Sequence, residues 1–417
     1  MSVTGVRLDA KNQDPVRFEV AGRKHVAHHT WFRGEHCNFG PNLANMQSST
    51  AIEDYIVQGW TPARPFIERQ TKVTAFGSCF AANISNYLSK RRYSILNRED
   101  VNSYVVRFGE GMVNTFAIRQ QFEWAFENRK YEEELWHGYD ARAHGYDEDV
   151  RRNTFEIFNK TEVFIITLGL SEIWYDEQSG GVFWRAVPMD KYDPGRHKFR
   201  VSSVTENLDN LRAIYRIIRH HRPAARIVFT LSPIPLVATF RGNSCITSNA
   251  VSKSILRAAV DELYREKSDE GSLYYWPSYE IVTEGFTNKF TKDRRHIKKQ
   301  ILDFIMMLFE KHYCTEFSKE SSRELLGRYI SARVADGTYG VPLMDAMENS
   351  DASYVSDYVQ RLLSKNRYEL AEPIVRYCVP LFSERRSEFR GYLCRIEKSL
   401  SGAKDKKWSL IPRALRR

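Results

Sequence analysis

Four short stretches of this chain carry residues whose types and spacing suit acyl-transfer chemistry. In Thr71-Lys-Val-Thr-Ala-Phe-Gly-Ser-Cys-Phe80 an apolar strand runs into a turn that displays Ser78. Gly77 permits the tight backbone, and the helix that follows opens at Ala81. A hydroxyl in that position lies at the carboxyl end of a sheet, where open α/β folds bind their ligands. The helix start also turns N–H groups toward negative charge. Such a serine can attack a carbonyl while its own turn helps to hold the oxyanion. Taken alone, the commoner role for a serine here is an N-cap. The second stretch, Asp293-Arg-Arg-His296, spaces a carboxylate so that it can meet Nδ1 of the imidazole and leave Nε2 facing outward, ready to take a proton from a serine. The third, Gly169-Leu-Ser-Glu172, directly follows an apolar run, and Leu231-Ser-Pro-Ile-Pro235 sits in the same way after another. Cys79 is the rival nucleophile, since a thiolate beside a histidine and a helix start would be activated. Neighbouring side chains on such a turn point in different directions, and the reading adopted here is Ser78.

The elements that must hold these residues alternate in type. Lys72–Phe76 reads as a strand, Ala82–Arg92 as a helix, Tyr93–Leu96 as a short strand and Val113–Asn128 as a helix. Glu162–Leu168 is continuously apolar, as in a parallel strand covered on both faces. Gly180-Gly181 before Val182–Val187 suggests a hairpin. Ser203–His221 is an amphipathic helix stopped by Pro223, and Arg226–Ser232 is the next buried strand. Asn249–Lys267, Leu273–Trp276 and Ile297–Tyr313 continue as helix, strand and helix. Alternation over about 240 residues predicts a doubly wound α/β domain over 71–317. Residues 1–70 read as an irregular segment packed on that domain through Trp31, Phe32, Phe39 and Trp60. From 318 to 417 the pattern is helical, with helices over Ser321–Val334, Ala352–Lys365, Arg367–Cys378 and Arg385–Ser399.

The 417 residues are 42% apolar, enough for a sizeable core, yet no stretch approaches the roughly 20 apolar residues of a membrane span. The first residues lack the basic-then-apolar pattern of a secretory signal, so a cytoplasmic protein is expected. Six scattered cysteines form no C-x-x-C pair, and the histidines show no metal-ligand spacing; neither a metal nor another cofactor is expected. The net charge of +10 is spread along the chain, apart from Ser401–Arg417, which carries six Lys/Arg against one Asp. No nucleic-acid motif accompanies it, and a solvated basic tail is the plainer reading.

The wording of the motifs matches a known family. Phe76-Gly-Ser-Cys-Phe-Ala81 spells the name-giving motif of the GSCFA-domain family. The resemblance extends through Gly59–Phe66, Gly169–Trp174, Leu231–Pro235, Asn249–Leu256, Tyr275–Glu280 and Asp293–His296, over about residues 55–312. That family is similar to the SGNH/GDSL hydrolases. The resemblance implies a three-layer α/β/α sandwich with a mainly parallel sheet, here with a C-terminal helical extension. It implies Ser78 as nucleophile, His296 as general base and acid, and Asp293 as the group that orients it. The N–H of Ser78, with Gly109 or Gly111, would form the oxyanion hole. Cys79 stands where the G-D-S signature has a different residue order, and Gly169-Leu-Ser-Glu172 stands where G-x-N-D supplies a side-chain amide. Ser171 or Asn114 is the candidate substitute; one such donor is worth about 2.7–4 kcal/mol of transition-state stabilisation. Trp174, Arg185 and Arg295 are the candidate substrate-binding residues. The expected activity is a serine esterase or O-acyltransferase on a carbohydrate or polysaccharide ester, with an acyl donor as possible partner. The alternative is a catalytically silent carbohydrate- or anionic-polymer-binding protein on the same fold.

Overall fold

The computed structural model describes residues 15–20, 22–28, 31–32, 37–42, 45–48, 50–98, 101–132, 134–337, 352–364, 366 and 368–409. The chain divides into two compact units, one of residues 59–336 and one of residues 1–58 with 337–417.

In the latter unit, strands β1 (Pro15–Val20), β2 (Arg23–His28) and β3 (Trp31–Phe32) form an antiparallel meander, with Pro15 opposite His28 and Ala27 opposite Phe32. The expectation of an irregular N-terminal segment is corrected here. Val16-Arg-Phe-Glu-Val20 alternates apolar and charged residues with the period of a strand, a signal too short to stand out in isolation. The same unit holds helices Ala352–Ser364, Tyr368–Leu381 and Arg386–Ser409, which bury Val355, Val359, Ile374, Val375, Phe389 and Ile396. The predicted helical character of the C-terminal region is observed. Part of the basic tail continues the last helix to Ser409; residues 410–417 lie outside the described residues.

The larger unit is built on a parallel four-stranded sheet of order β4-β5-β8-β9: β4 is Val73–Phe76, β5 Val163–Leu168, β8 Arg226–Leu231 and β9 Leu273–Trp276. Val73 pairs with Val163, Val163 with Arg226, and Ile227 with Leu273. The central β5 is buried along its whole length, which explains a run that is apolar but for Thr167. Helices Thr115–Glu127, Glu148–Lys160, Val204–His221 and Cys245–Lys267 pack on one face; Cys79–Lys90 and Lys299–Tyr313 pack on the other, and Lys319–Asp336 lies against Lys299–Tyr313. The α/β fold with a parallel sheet between helical layers is therefore as predicted. On the first face Phe76, Phe122, Phe158 and Phe164 form one aromatic cluster, with Phe122 and Phe158 stacked at 4.4 Å.

Two predicted strands differ. Only Ile95 of Tyr93–Leu96 bridges to Val73. The next ladder position on β4 is taken by a side chain: Asn97 Oδ1 accepts from Ala75 N at 3.1 Å and its Nδ2 donates to Ala75 O at 2.7 Å. Residues 182–187 are not the hairpin partner either. Strand β6 (Glu172–Asp176) pairs antiparallel with β7 (His197–Val201), and Val182 gives only an isolated bridge to Tyr175. Phe183 and Trp184, 4% and 1% exposed, are both buried, whereas a half-buried strand would send neighbours to opposite faces. Among the described residues, no helix is long and apolar enough to cross a membrane.

Candidate active site

The carboxyl ends of β4, β5 and β8 release the chain at Ser78, Gly169 and Ser232, and all three residues line one cavity of about 400 Å³. The turn after β4 depends on Gly77. Its φ of +119° is strained for any residue with a side chain, and a Cβ there would stand 2.1 Å from the backbone oxygen of Thr167 on β5. Gly77 N donates to Gly109 O at 2.9 Å, which ties the turn to the Gly109–Gly111 segment.

Ser78 has extended backbone and is 3% exposed. Its Oγ accepts from Phe80 N at 3.1 Å and so caps the helix Cys79–Lys90. The capping role expected of a serine in that position is real, and it coexists with a place in the cavity wall. Cys79 lines the same cavity, but burial, and then the Glu110 carboxylate, push its thiol up, which disfavours the thiolate a cysteine nucleophile needs.

The Asp293–His296 turn has the geometry its spacing predicts. Asp293 Oδ2 meets His296 Nδ1, while Oδ1 accepts from Thr291 Oγ1 at 2.7 Å and from the N–H groups of Arg295 and His296, both at 3.0 Å. Arg294, with φ of +57°, lets the chain turn this tightly. These donors, the Thr291 hydroxyl foremost, hold the Asp293 carboxyl well below the usual carboxylate range. The imidazole is 61% exposed. Neither His296 nor Asp293 lines the cavity, whereas Arg295 between them does. Among the described residues His296 makes no hydrogen bond to Ser78; the two lie on separate turns, with Arg295 the link between the histidine turn and the cavity.

The other expected site residues divide. Gly111, Asn114, Gly169, Trp174 and Arg185 line the cavity. Gly109 lies beside a small adjoining hollow that also touches Ser78. Ser171 is buried behind the wall, its N donating to Ser252 Oγ at 2.8 Å. Asn114 is committed elsewhere: Oδ1 caps the helix Thr115–Glu127 through Ala117 N, and Nδ2 donates to the Phe183 and Trp184 carbonyls at 3.3 Å. Gly169 N donates to Val113 O at 2.7 Å, so its amide is also spoken for. Arg185 lies 3.5 Å over the ring of Tyr139.

One residue escaped the sequence reading. Lys253, on the helix Cys245–Lys267, is 2% exposed, and its Nζ donates to Gly169 O at 2.6 Å and Ser232 O at 2.8 Å. It clamps two of the three turns that form the cavity wall. Burial pulls its pKa down from 10.5 to about 7, with Cys79 acting in the opposite sense. A lysine inside an otherwise helical-looking run carries no local mark of burial; the nearest signal was its place at i+4 from Asn249, whose Oδ1 accepts from Leu236 N in the β8 loop.

Neither a curated protein nor a solved structure matches the chain. Residues 72–309, which span the sheet, the Ser78 turn and the Asp293–His296 turn, match the GSCFA family, and the chain belongs to the GSCFA family.

Proposed function

We propose that this protein is a serine esterase or O-acyltransferase that acts on a carbohydrate or polysaccharide ester through an acyl-enzyme at Ser78. The observation that carries this reading is a serine on the wall of a sizeable cavity, at the carboxyl end of a parallel sheet, with an aspartate-oriented imidazole one residue from another part of that wall. The roles come from the resemblance to SGNH-type hydrolases. Ser78 Oγ attacks the ester carbonyl carbon as its proton passes to His296 Nε2. The tetrahedral oxyanion collapses, the C–O bond to the leaving alcohol breaks, and His296 returns the proton to that alcohol. Water or a sugar hydroxyl then attacks the acyl-serine with His296 again as base, the bond from the acyl carbon to Ser78 Oγ breaks, and His296 returns the proton to Ser78. Asp293 keeps Nδ1 protonated and steadies the imidazolium. Accepting from Phe80 N leaves the Ser78 O–H free to donate to the imidazole, and the first step requires His296 Nε2 to come within hydrogen-bonding reach of Ser78 Oγ.

A second reading, a binding module without catalysis, is favoured by one observation: the Ser78 hydroxyl is engaged as a cap and not by His296. A serine-reactive phosphonate separates the two. The enzyme reading requires an adduct at Ser78 by mass spectrometry, absent in Ser78→Ala and slowed in His296→Ala. No adduct, with p-nitrophenyl acetate turnover equal to buffer, leaves the binding module.

A further inference from the structure

The cavity wall is unbalanced in its hydrogen-bonding groups. Trp174 Nε1, Trp184 Nε1, Arg185 Nη2 and Arg295 Nε are buried donors with no acceptor among the described residues. The wall's buried side-chain oxygens are all occupied. Glu172 accepts from Thr239 Oγ1 at 2.8 Å, Asn114 Oδ1 from Ala117 N, and Ser232 Oγ from Ile234 N. Arg185 Nη2 packs where a Cβ on Gly111 would stand 1.7 Å away, so that glycine makes room for the guanidinium. The Tyr139 ring faces this arginine, but an aromatic face is no acceptor for an in-plane N–H. Neither arginine has an ion-pair partner among the described residues. Two carboxylates of the wall compete with a bound anion: Glu110, which is exposed, and Glu172, which is held by Thr239.

Native proteins pair nearly all their buried polar groups with protein, water or ligand. Several unmatched donors, two of them cationic, call for a ligand that brings acceptors and no donors of its own. Carboxylate and phosphate are such groups, and both suit the planar fork of a guanidinium. The geometry points to a substrate that carries an anionic substituent, a carboxylate or a phosphate on the saccharide, received in this cavity by Arg185 and Arg295 with the indole N–H groups of Trp174 and Trp184. The inference deepens the ester-transfer reading by naming its substrate class, and rests on that reading for the reacting ester but not for the anion.

Two tryptophans in the wall make indole fluorescence the readout. Glucuronate, its methyl ester, glucose 1-phosphate and glucose are titrated at fixed ionic strength into the wild type and Ser78→Ala. At least one anion should bind tenfold or more tighter than its uncharged counterpart, the effect of about one charge-assisted hydrogen bond. Which anion binds better distinguishes carboxylate from phosphate recognition. In Arg185→Met and Arg295→Met the ratio should fall toward one. In Arg265→Gln, which removes an exposed charge on the helix Cys245–Lys267, it should persist. Equal affinity of acid and methyl ester, no binding of either anion, or an equal loss in Arg265→Gln overturns the inference, and the wild-type comparison decides if the cavity variants do not fold. Ester turnover without preference for an anion sinks this inference alone. Anion preference kept in Ser78→Ala, with no phosphonate adduct on the wild type, sinks the ester reading alone.

Discussion

Replacing Lys253 with methionine removes an amine from the interior and keeps most of its bulk, which makes it a sharp probe of the cavity's foundation. The structure buries Lys253 with two carbonyl acceptors and, among the described residues, no carboxylate partner. Burial lowers its pKa from 10.5 to about 7. At about 1.4 kcal/mol per pH unit, that drop corresponds to a penalty of about 5 kcal/mol for the charged form inside the fold. The sign follows from proton counts. Between pH 7 and 10.5 the unfolded chain keeps the proton that the folded protein has released, so stability rises with pH across that window. The contribution is complete above 10.5 and is lost as pH falls toward 7. Between pH 7 and 9 the wild type should gain about 2 kcal/mol relative to Lys253→Met. The variant also strands the Gly169 and Ser232 carbonyls at a cost of about 1–3 kcal/mol each, independent of pH. Urea unfolding of both proteins at pH 7, 8 and 9 separates the two effects, because other titrating groups act largely alike in each. Parallel pH dependences would refute the reasoning and mean that Lys253 keeps its proton in the fold, or reaches water.

Three further outcomes follow from the geometry. Gly77→Ala should cost about 3 kcal/mol or more, combining a forbidden φ with a contact on Thr167 O, and a urea midpoint close to wild type would contradict the turn described here. Phe122→Ala removes the centre of the cluster of Phe76, Phe158 and Phe164 and should destabilise by about 3–5 kcal/mol; a loss under about 1 kcal/mol in the same assay would mean that the cluster collapses to fill the gap. Ser78→Ala should lose about 1 kcal/mol with the N-cap to Phe80, so unchanged thermal stability would argue that the hydroxyl is not bonded there in solution.

The sheet was legible because its strands are buried on both faces: Val163–Leu168 and Ile227–Leu231 are apolar but for one buried threonine each, and such runs leave few alternatives once helices flank them. The turn at Gly77-Ser78 and the pairing of Asp293 with His296 were legible for a local reason, since each is set by residues within a few positions. What escaped depends on distant parts of the chain. Asn97 bonds to a strand 22 residues away, and Lys253 meets carbonyls 84 and 21 residues away. Neither partner is visible in a window of sequence. The β6–β7 ribbon was mispaired for a related reason: Gly180-Gly181 marks a turn, but the burial of Phe183 and Trp184 draws the following residues into the core and leaves pairing to His197–Val201.

The amide of Asn97 has a consequence beyond filling a gap in a ladder. Strand β4 is an outer strand of the sheet, and an outer strand with open N–H and C=O groups invites pairing by a foreign chain. Here the Ser94 carbonyl accepts from Val73 N, and the Asn97 side chain takes both groups of Ala75. Four strands are thus closed off on this side by a loop and one side chain, and a protein that lost the plug would expose an open sheet edge to edge-to-edge aggregation.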